Sequence, residues 1–313
     1  MRYLRQRPHA RRGITPGSML AGGGRFSRLS SQVGVPCRET PWVFEASNSD
    51  MQTPARIVVL GGGFGGVYTA LALEKELRGR RDVEVTLVSR ENFFLFTPML
   101  HEVAASDLDI THIVSPLRSL LKRTSLFVGD VEEVDVDRKH VVFRHGFDNH
   151  LHQLPYDHLV FALGCTTNFY GLPGLQERAL TMRSLDDAIR LRNHVIAALE
   201  EAGSECQEPE EGLLTVVVAG GGFAGVETIA ALNDFVREGL RFYPHINPCQ
   251  VRMVLVHPGA LILPELGEHL GAYAQQQLTA RGVEVLTNTK VSAVTPGGVM
   301  LSDGRMVPSR VIV

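Results

Sequence analysis

The chain has 313 residues, 44% of them hydrophobic and 21% charged, with a formal net charge of -3. That length exceeds one typical domain, and the composition is that of an ordinary globular protein. The mild negative charge argues against a nucleic-acid binder, and no stretch approaches the run of about 18 apolar residues that a membrane-spanning helix needs.

Residues 1–50 differ from the rest. Eight arginines occur by Arg38, with no lysine and no acid before Glu39, and "AGGGRFSRLSSQ" has neither a helical nor a strand period. One reading is an organellar transit peptide, rich in Arg and Ser and poor in acids. The favoured reading is an unstructured leader or non-native extension, because "MQTPARIVVLGGG", starting at Met51, has the look of a natural start. In either case this segment is expected to contribute nothing to the fold.

The body opens with "RIVVLGGGFGGVYTALAL" (residues 56–73), and residues 215–232 repeat it as "TVVVAGGGFAGVETIAAL". Each copy begins with a β-branched run suited to a strand buried in a parallel sheet. Each then bends through G-x-G-x-x-G, at Gly61, Gly63 and Gly66 and again at Gly220, Gly222 and Gly225, and continues as an Ala/Leu-rich helix. The first glycine permits a tight turn, the second lets a pyrophosphate approach the backbone, and the third lets helix and strand pack closely. The helix start offers free N–H groups and a partial charge of roughly +0.5 to an anion. One such turn also serves as a plain connector. Two copies with the right flanks point to two dinucleotide sites and to electron transfer between them, most simply from NAD(P)H to FAD.

Between the copies, "DVEVTLVSREN" predicts the second strand of a Rossmann unit and "HIVSPLRSLL" a helix after a loop. "SLFVGDVEEVDVDRKHVVFRHG" predicts a β-meander, and "YDHLVFALGCTTNFYGLPG" a buried strand ending in a glycine turn. "SLDDAIRLRNHVIAALEEA" predicts an amphipathic helix capped by Ser184. After the second copy come a strand at "VRMVLVHP", a helix feeding the next strand in "LGEHLGAYAQQQLTARGVEVL", and a hairpin with one more strand in "KVSAVTPGGVMLSDGRMVPSRVIV". The fold class is α/β: two Rossmann-like dinucleotide-binding domains, three-layer, with β-meanders. Residues 51–178 form the first segment of an FAD domain, and residues 179–313 an NAD(P)H domain cut in its last strand.

The cysteines at 37, 165, 206 and 249 form no close pair, and residues 67–164 contain none. That excludes the redox cysteine pair of flavin enzymes that reduce disulfides, and a thiolate metal site as well. His140, His145, His150, His152 and His158 cluster, and alternation could put His150 and His152 on one strand face. No cysteine or carboxylate pattern accompanies them, so a surface hairpin is expected and no metal is assigned.

These stretches, with "VTLVSRENFFLFTPMLHEVA" and "LPELGEHLGAYAQQQLTARGVEVL", resemble type II NADH dehydrogenases, the single-chain NADH:quinone oxidoreductases of the two-dinucleotide-domain flavoproteins. The resemblance runs from about residue 55 to the end. It implies FAD at the first glycine motif, held by Gly61, Gly63, Phe64, Gly65 and Gly66, with the turn of Ala162, Leu163 and Gly164 closing over the flavin. It implies NADH at the second, held by Gly220, Gly222, Phe223, Ala224 and Gly225. Glu227 matches an acid near the nicotinamide–flavin junction; its plain alternative is a first-turn helix glutamate stabilised by the dipole. The acids that often bind the riboses are replaced by Ser89 and His257. Glu91 is a candidate substitute for the first, and His257 leaves NADH versus NADPH open.

The implied activity is hydride transfer from NADH to flavin, then two electrons to quinone, without proton pumping, by a peripheral protein on the cytoplasmic face of a bacterial inner membrane or in the cytoplasm. A homodimer is left open. The family's returning strand, quinone-site residues and amphipathic membrane helices have no counterpart here, so the chain is expected to be a fragment with weak or no activity. Gln275, Gln276 and Gln277 are expected to be solvated rather than a quinone motif. The alternatives are an NAD(P)H reductase of a small electron-carrier protein and an inactive nucleotide-binding fragment.

Overall fold

The computed structural model describes residues 53–204 and 210–313, so the expectations for residues 1–50 lie outside the described residues. The first glycine copy forms strand β1 (Ala55–Leu60) and helix α1 (Phe64–Glu76). Strand β2 (Val83–Ser89) runs parallel to β1, as its β-branched sequence predicts. There follow β3 (Phe93–Leu95), α2 (Leu100–Ala104), β4 (Val114–Pro116) and α3 (Leu117–Leu120). The helix expected across "HIVSPLRSLL" is therefore wrong. The segment makes a 3-10 turn at Ile110–His112, a strand antiparallel to β3, and a single helical turn. Pro116 biases Ser115 toward extended backbone, and pairing with β3 uses that bias.

The meander comprises β5 (Ser125–Asp135), β6 (His140–His145) and β7 (His150–Pro155). β5 pairs in two ways along its length: Ser125–Val128 pair parallel with β2, and Gly129–Asp135 pair antiparallel with β6. A register shift between Val131 and Glu133 helps bend the strand. β8 (His158–Phe161) then returns to lie parallel to β1, giving the order β7-β6-β5-β2-β1-β8. The buried strand expected there is corrected. β8 pairs only with β1, at the sheet edge, and Phe161 is 62% exposed.

After the single-turn α4 (Leu175–Arg178) comes α5 (Leu185–Gly203), capped as predicted. Ser184 Oγ accepts the Asp187 N–H, and the Asp187 carboxylate accepts the Ser184 N–H, a reciprocal capping box. The second copy supplies β9 (Thr215–Ala219) and α6 (Phe223–Gly239), followed by β10 (Arg252–Val256), α7 (Gly267–Ala280) and β11 (Val283–Leu286). The last stretch forms β12 (Val291–Thr295), β13 (Gly298–Leu301), β14 (Met306–Pro308) and β15 (Val311–Ile312). Instead of a hairpin plus one strand, β12–β14 make a second antiparallel meander. β15 completes a parallel sheet in the order β11-β10-β9-β15.

The two-residue strand period distributes the core. Val59 and Leu87 pack with Val67 and Ala70 of α1, while Val58, Leu60 and Val88 face Val141 and Phe143 of the meander. The second unit repeats this plan. Val216, Val218 and Leu255 meet Leu191 of α5 and Leu232 of α6, while Val217 and Val254 meet Val299 and Val307 beneath β12–β14. Both sheets therefore lie between helices and a meander, the predicted three-layer α/β arrangement. Leu100, Val103 and Ala104 of α2 belong to the second core although they come from the first segment.

Glu74 fastens α1 to the loop before β5. Its carboxylate accepts the N–H groups of Lys122, Arg123 and Thr124 and the Thr124 hydroxyl, at 2.8–3.3 Å. Desolvation pushes its pKa up, but these donors outweigh it and hold it below the ordinary glutamate value. A depressed folded-state pKa means stability present above the unfolded pKa and lost as pH falls through the folded one. Glu74→Gln should lower stability at pH 7 by about 1–2 kcal/mol. The gap to wild type in urea midpoint should close as pH falls below about 4; a gap independent of pH would rule out this carboxylate as the source.

Candidate functional site

The two glycine loops have the same geometry. Gly61 and Gly220 have φ of +106° and +136°, a region that L side chains rarely adopt. A Cβ on Gly66 would lie 1.7 Å from the Gly61 carbonyl oxygen, and one on Gly225 1.9 Å from that of Gly220. The third glycine thus lets the helix begin directly against the end of its strand. The middle glycine differs. Gly63 and Gly222 have φ of -81° and -80°, which any residue adopts, and a Cβ on either would meet nothing within 4 Å. Neither conformation nor protein packing requires glycine there, whereas close approach by a ligand does.

The turn of Ala162, Leu163 and Gly164 closes against the first loop. The Ala162 N–H donates to Leu60 O at 2.8 Å, and a Cβ on Gly61 would fall 2.2 Å from the Ala162 oxygen. Phe64 packs edge-on to Phe94 at 4.9 Å and near Phe96 at 5.5 Å. Ser89 is buried beneath the loop, so close that a Cβ on Gly62 would meet its Oγ at 2.2 Å. Glu91 is exposed beside Arg90, which pairs with Asp130 at 2.5 Å. Arg90 also helps line a cleft of about 680 Å³ with Cys165, Thr167, Asn168, Thr181 and Arg183. The Arg183 guanidinium donates to the Cys165 carbonyl oxygen and lies 3.1 Å from its Sγ. Reasoning from sequence passed over both arginines, although "SRE" offered a signal for Arg90.

At the second loop, Gly221 donates its N–H to His257 Nδ1 at 3.1 Å, and its carbonyl accepts the Leu263 N–H at 2.7 Å. Phe223 and Ala224 are exposed at the helix start. Glu227 is the fifth residue of α6, beyond the first turn, which contains no acid. The dipole alternative loses force accordingly. Its carboxylate lies 3.6 Å from His101 Nδ1, and Glu102 lies 3.5 Å from His101 Nε2. α2 therefore brings a first-segment histidine to a second-segment acid, a juxtaposition that only the tertiary fold reveals.

His145 and His150 stand opposite each other on β6 and β7 with ring centroids 5.5 Å apart. His152 packs against Phe127 and Phe143 at 5.1 and 5.0 Å, whereas His150 bonds to Asp148 at 2.7 Å. Among the described residues no group of three or more His, Cys, Asp or Glu could hold a metal ion. The expectation of three solvated glutamines is corrected for Gln275, which is half-buried with its Oε1 unbonded; Gln276 and Gln277 are exposed. Gln275 and Gln276 line one shallow cleft with Leu261 and Thr279.

Comparison with known proteins agrees with this geometry. The type II NADH:quinone oxidoreductase Ndh of Mycobacterium tuberculosis is 32% identical over 254 residues, 79% of this chain and 53% of its own. The demethylphylloquinone reductase NdbB of Synechocystis is 34% identical over 248 residues, 79% of this chain and 57% of its own. The chain thus spans about half the length of these relatives. The fold superposes on NDH2 from Plasmodium falciparum with a TM-score of 0.77 at 23% identity, over 82% of this chain and 54% of that one. Residues 55–313 match the family described as pyridine nucleotide-disulphide oxidoreductase, and the chain belongs to that family.

Proposed function

We propose that this chain is the FAD- and NADH-handling part of a type II NADH:quinone oxidoreductase. The observation that carries the reading is the open space in front of Gly63 and Gly222, each at the N-terminus of a helix whose third motif glycine, Gly66 or Gly225, is required by packing. A pyrophosphate fits such a space, where free N–H groups and the helix dipole converge. The names of the relatives support quinone as acceptor.

Gly61, Gly63, Phe64, Gly65 and Gly66, with Ala162, Leu163 and Gly164, hold FAD; Ser89 and Glu91 stand at its ribose. Gly220, Gly222, Phe223, Ala224 and Gly225 hold NADH, with His257 at the end of the strand that reads its ribose. FAD, when bound, supplies the acceptor for a hydride. The chain's own contribution is position and electrostatics. The shared packing of α2 with α5 and α6 fixes the two loops relative to each other, and the His101–Glu227 pair lies across that seam. A quinone acceptor is lipid-soluble, so we place the reaction at a membrane surface, on the cytoplasmic side. Among the described residues no helix is long and apolar enough to cross a membrane, and peripheral attachment is the form proposed.

The glycines separate binding from folding. Gly66→Ala and Gly225→Ala should each lower stability by about 1–3 kcal/mol, because backbone must move to admit the Cβ. Gly63→Ala and Gly222→Ala, at N-caps where nothing would meet the Cβ, should cost less than about 1 kcal/mol. Urea titration of the four variants checks this ordering, and equal losses at all four would contradict it.

Cofactor content tests the assignment of the two sites. Gly63→Val should fold normally yet carry no flavin absorbance. Gly222→Val should keep its flavin while anaerobic NADH no longer bleaches it. Full flavin in Gly63→Val would make the first loop a mere connector. In the wild type, whatever reoxidation of bleached flavin this chain supports is expected to be weak and to go to a short-chain quinone rather than to a small iron–sulfur carrier protein; the reverse preference would sink the quinone reading.

A further inference from the structure

The end of the second sheet decides which nicotinamide dinucleotide can be told from the other. In this fold the residue after the second Rossmann strand reads the adenosine ribose: an acid favours the free 2′-hydroxyl, an arginine the 2′-phosphate. Here the residue is His257, and its ring is already engaged. Nδ1 accepts the Gly221 N–H at 3.1 Å, which puts the ring proton on Nε2 and leaves the bonded side chain uncharged. The ring is wedged in place, since a Cβ on Gly221 would lie 2.8 Å from its Cγ and one on Gly259 2.8 Å from its Nε2.

The surrounding rim is uncharged as well. Residues 257–260 are His, Pro, Gly and Ala, and residues 287–289, which follow β11, are Thr, Asn and Thr. The two loops are tied together: Asn288 N–H donates to Gly259 O at 2.8 Å, and Thr289 N–H to His257 O at 3.0 Å. Lys290 follows directly, but its backbone is bound toward β13, its N–H donating to Ser302 Oγ at 3.1 Å and its carbonyl accepting the Ser302 N–H at 2.8 Å. The rim therefore offers neither a carboxylate to repel a 2′-phosphate nor a guanidinium to attract one, only a neutral N–H that can donate to either group.

The geometry points to a second dinucleotide site that takes NADH and NADPH with little discrimination, His257 being the position that sets this neutrality. The inference rests on the reading of the second loop as a nicotinamide dinucleotide site. The test is calorimetric titration of the full chain with NAD+ and with NADP+, at low and high salt. The two dissociation constants should agree within about tenfold. His257→Glu should shift the ratio at least about tenfold toward NAD+, and His257→Arg a similar amount toward NADP+. A wild-type ratio beyond about a hundredfold in either direction overturns the inference while leaving the site assignment standing. So does NADP+ binding that alone falls steeply with salt, which would place Lys290 on the phosphate. Unchanged ratios in folded Glu and Arg variants overturn it too. If neither nucleotide binds a chain that is folded by circular dichroism, the dinucleotide reading of the loop fails, and this inference with it.

Discussion

Everything in this molecule depends on how closely a helix can start against the end of a strand. The Gly61 carbonyl oxygen occupies the space that a Cβ at Gly66 would need, and Gly220 stands in the same relation to Gly225. With any other residue the helix would have to shift away from the sheet. Its first N–H groups would then no longer converge on the space in front of Gly63 or Gly222. That one contact therefore links local backbone conformation to packing and packing to the anion site. It also explains why each sheet keeps its helices on one face and a meander on the other: the helix face is committed from the first turn, and the remaining apolar side chains of β1, β2, β9 and β10 need another cover.

Much of this was legible in the sequence because it is local and periodic. The glycine spacing, the β-branched runs before it, and the amphipathic α5 with Ser184 at its start are all set by residues within one or two turns of each other. The misreadings have a common physical source. "HIVSPLRSLL" has a helical look, yet the short β3 offers its backbone to Val114–Pro116 and takes the segment as a strand. β8 reads as buried because Leu159 and Val160 are apolar, but burial depends on where a strand stands in the sheet order, and β8 stands at the edge. β14 is three residues long and is held by pairing with β13 rather than by its own pattern.

The candidate site was legible in the same uneven way. The glycines declare themselves because each answers a backbone demand. His101 does not, since its significance lies in a distance to Glu227 across 126 positions of sequence that only the docking of α2 onto α6 creates. Arg183 likewise reaches Cys165 from a neighbouring loop. The side-chain direction at Ser89 and His257 was also out of reach. Both positions could be placed at strand ends, but not underneath the glycine loops, where the structure puts them.

The two loops, alike in backbone, are set in unlike surroundings, and the difference falls where two different ligands would require it. Around the first, the neighbouring cleft carries Arg90 and Arg183, and the exposed aromatic rings of Phe64, Tyr68 and Phe96 pack with the half-buried Phe94 beside the helix start. Cationic groups and apolar surface together suit a ligand that is large, anionic and retained. Around the second, the strand ends are neutral and held by backbone hydrogen bonds, and the loop is clamped from below by His257 and Leu263. A rim without charge gives no long-range hold on a dinucleotide, so a ligand there is kept mainly by the helix N-terminus and by shape. On the proposed reading, a resident group beside an exchanging one is the division of labour that an electron-transferring pair needs, and the contrast lies in which side chains stand at the ends of two otherwise equivalent strands.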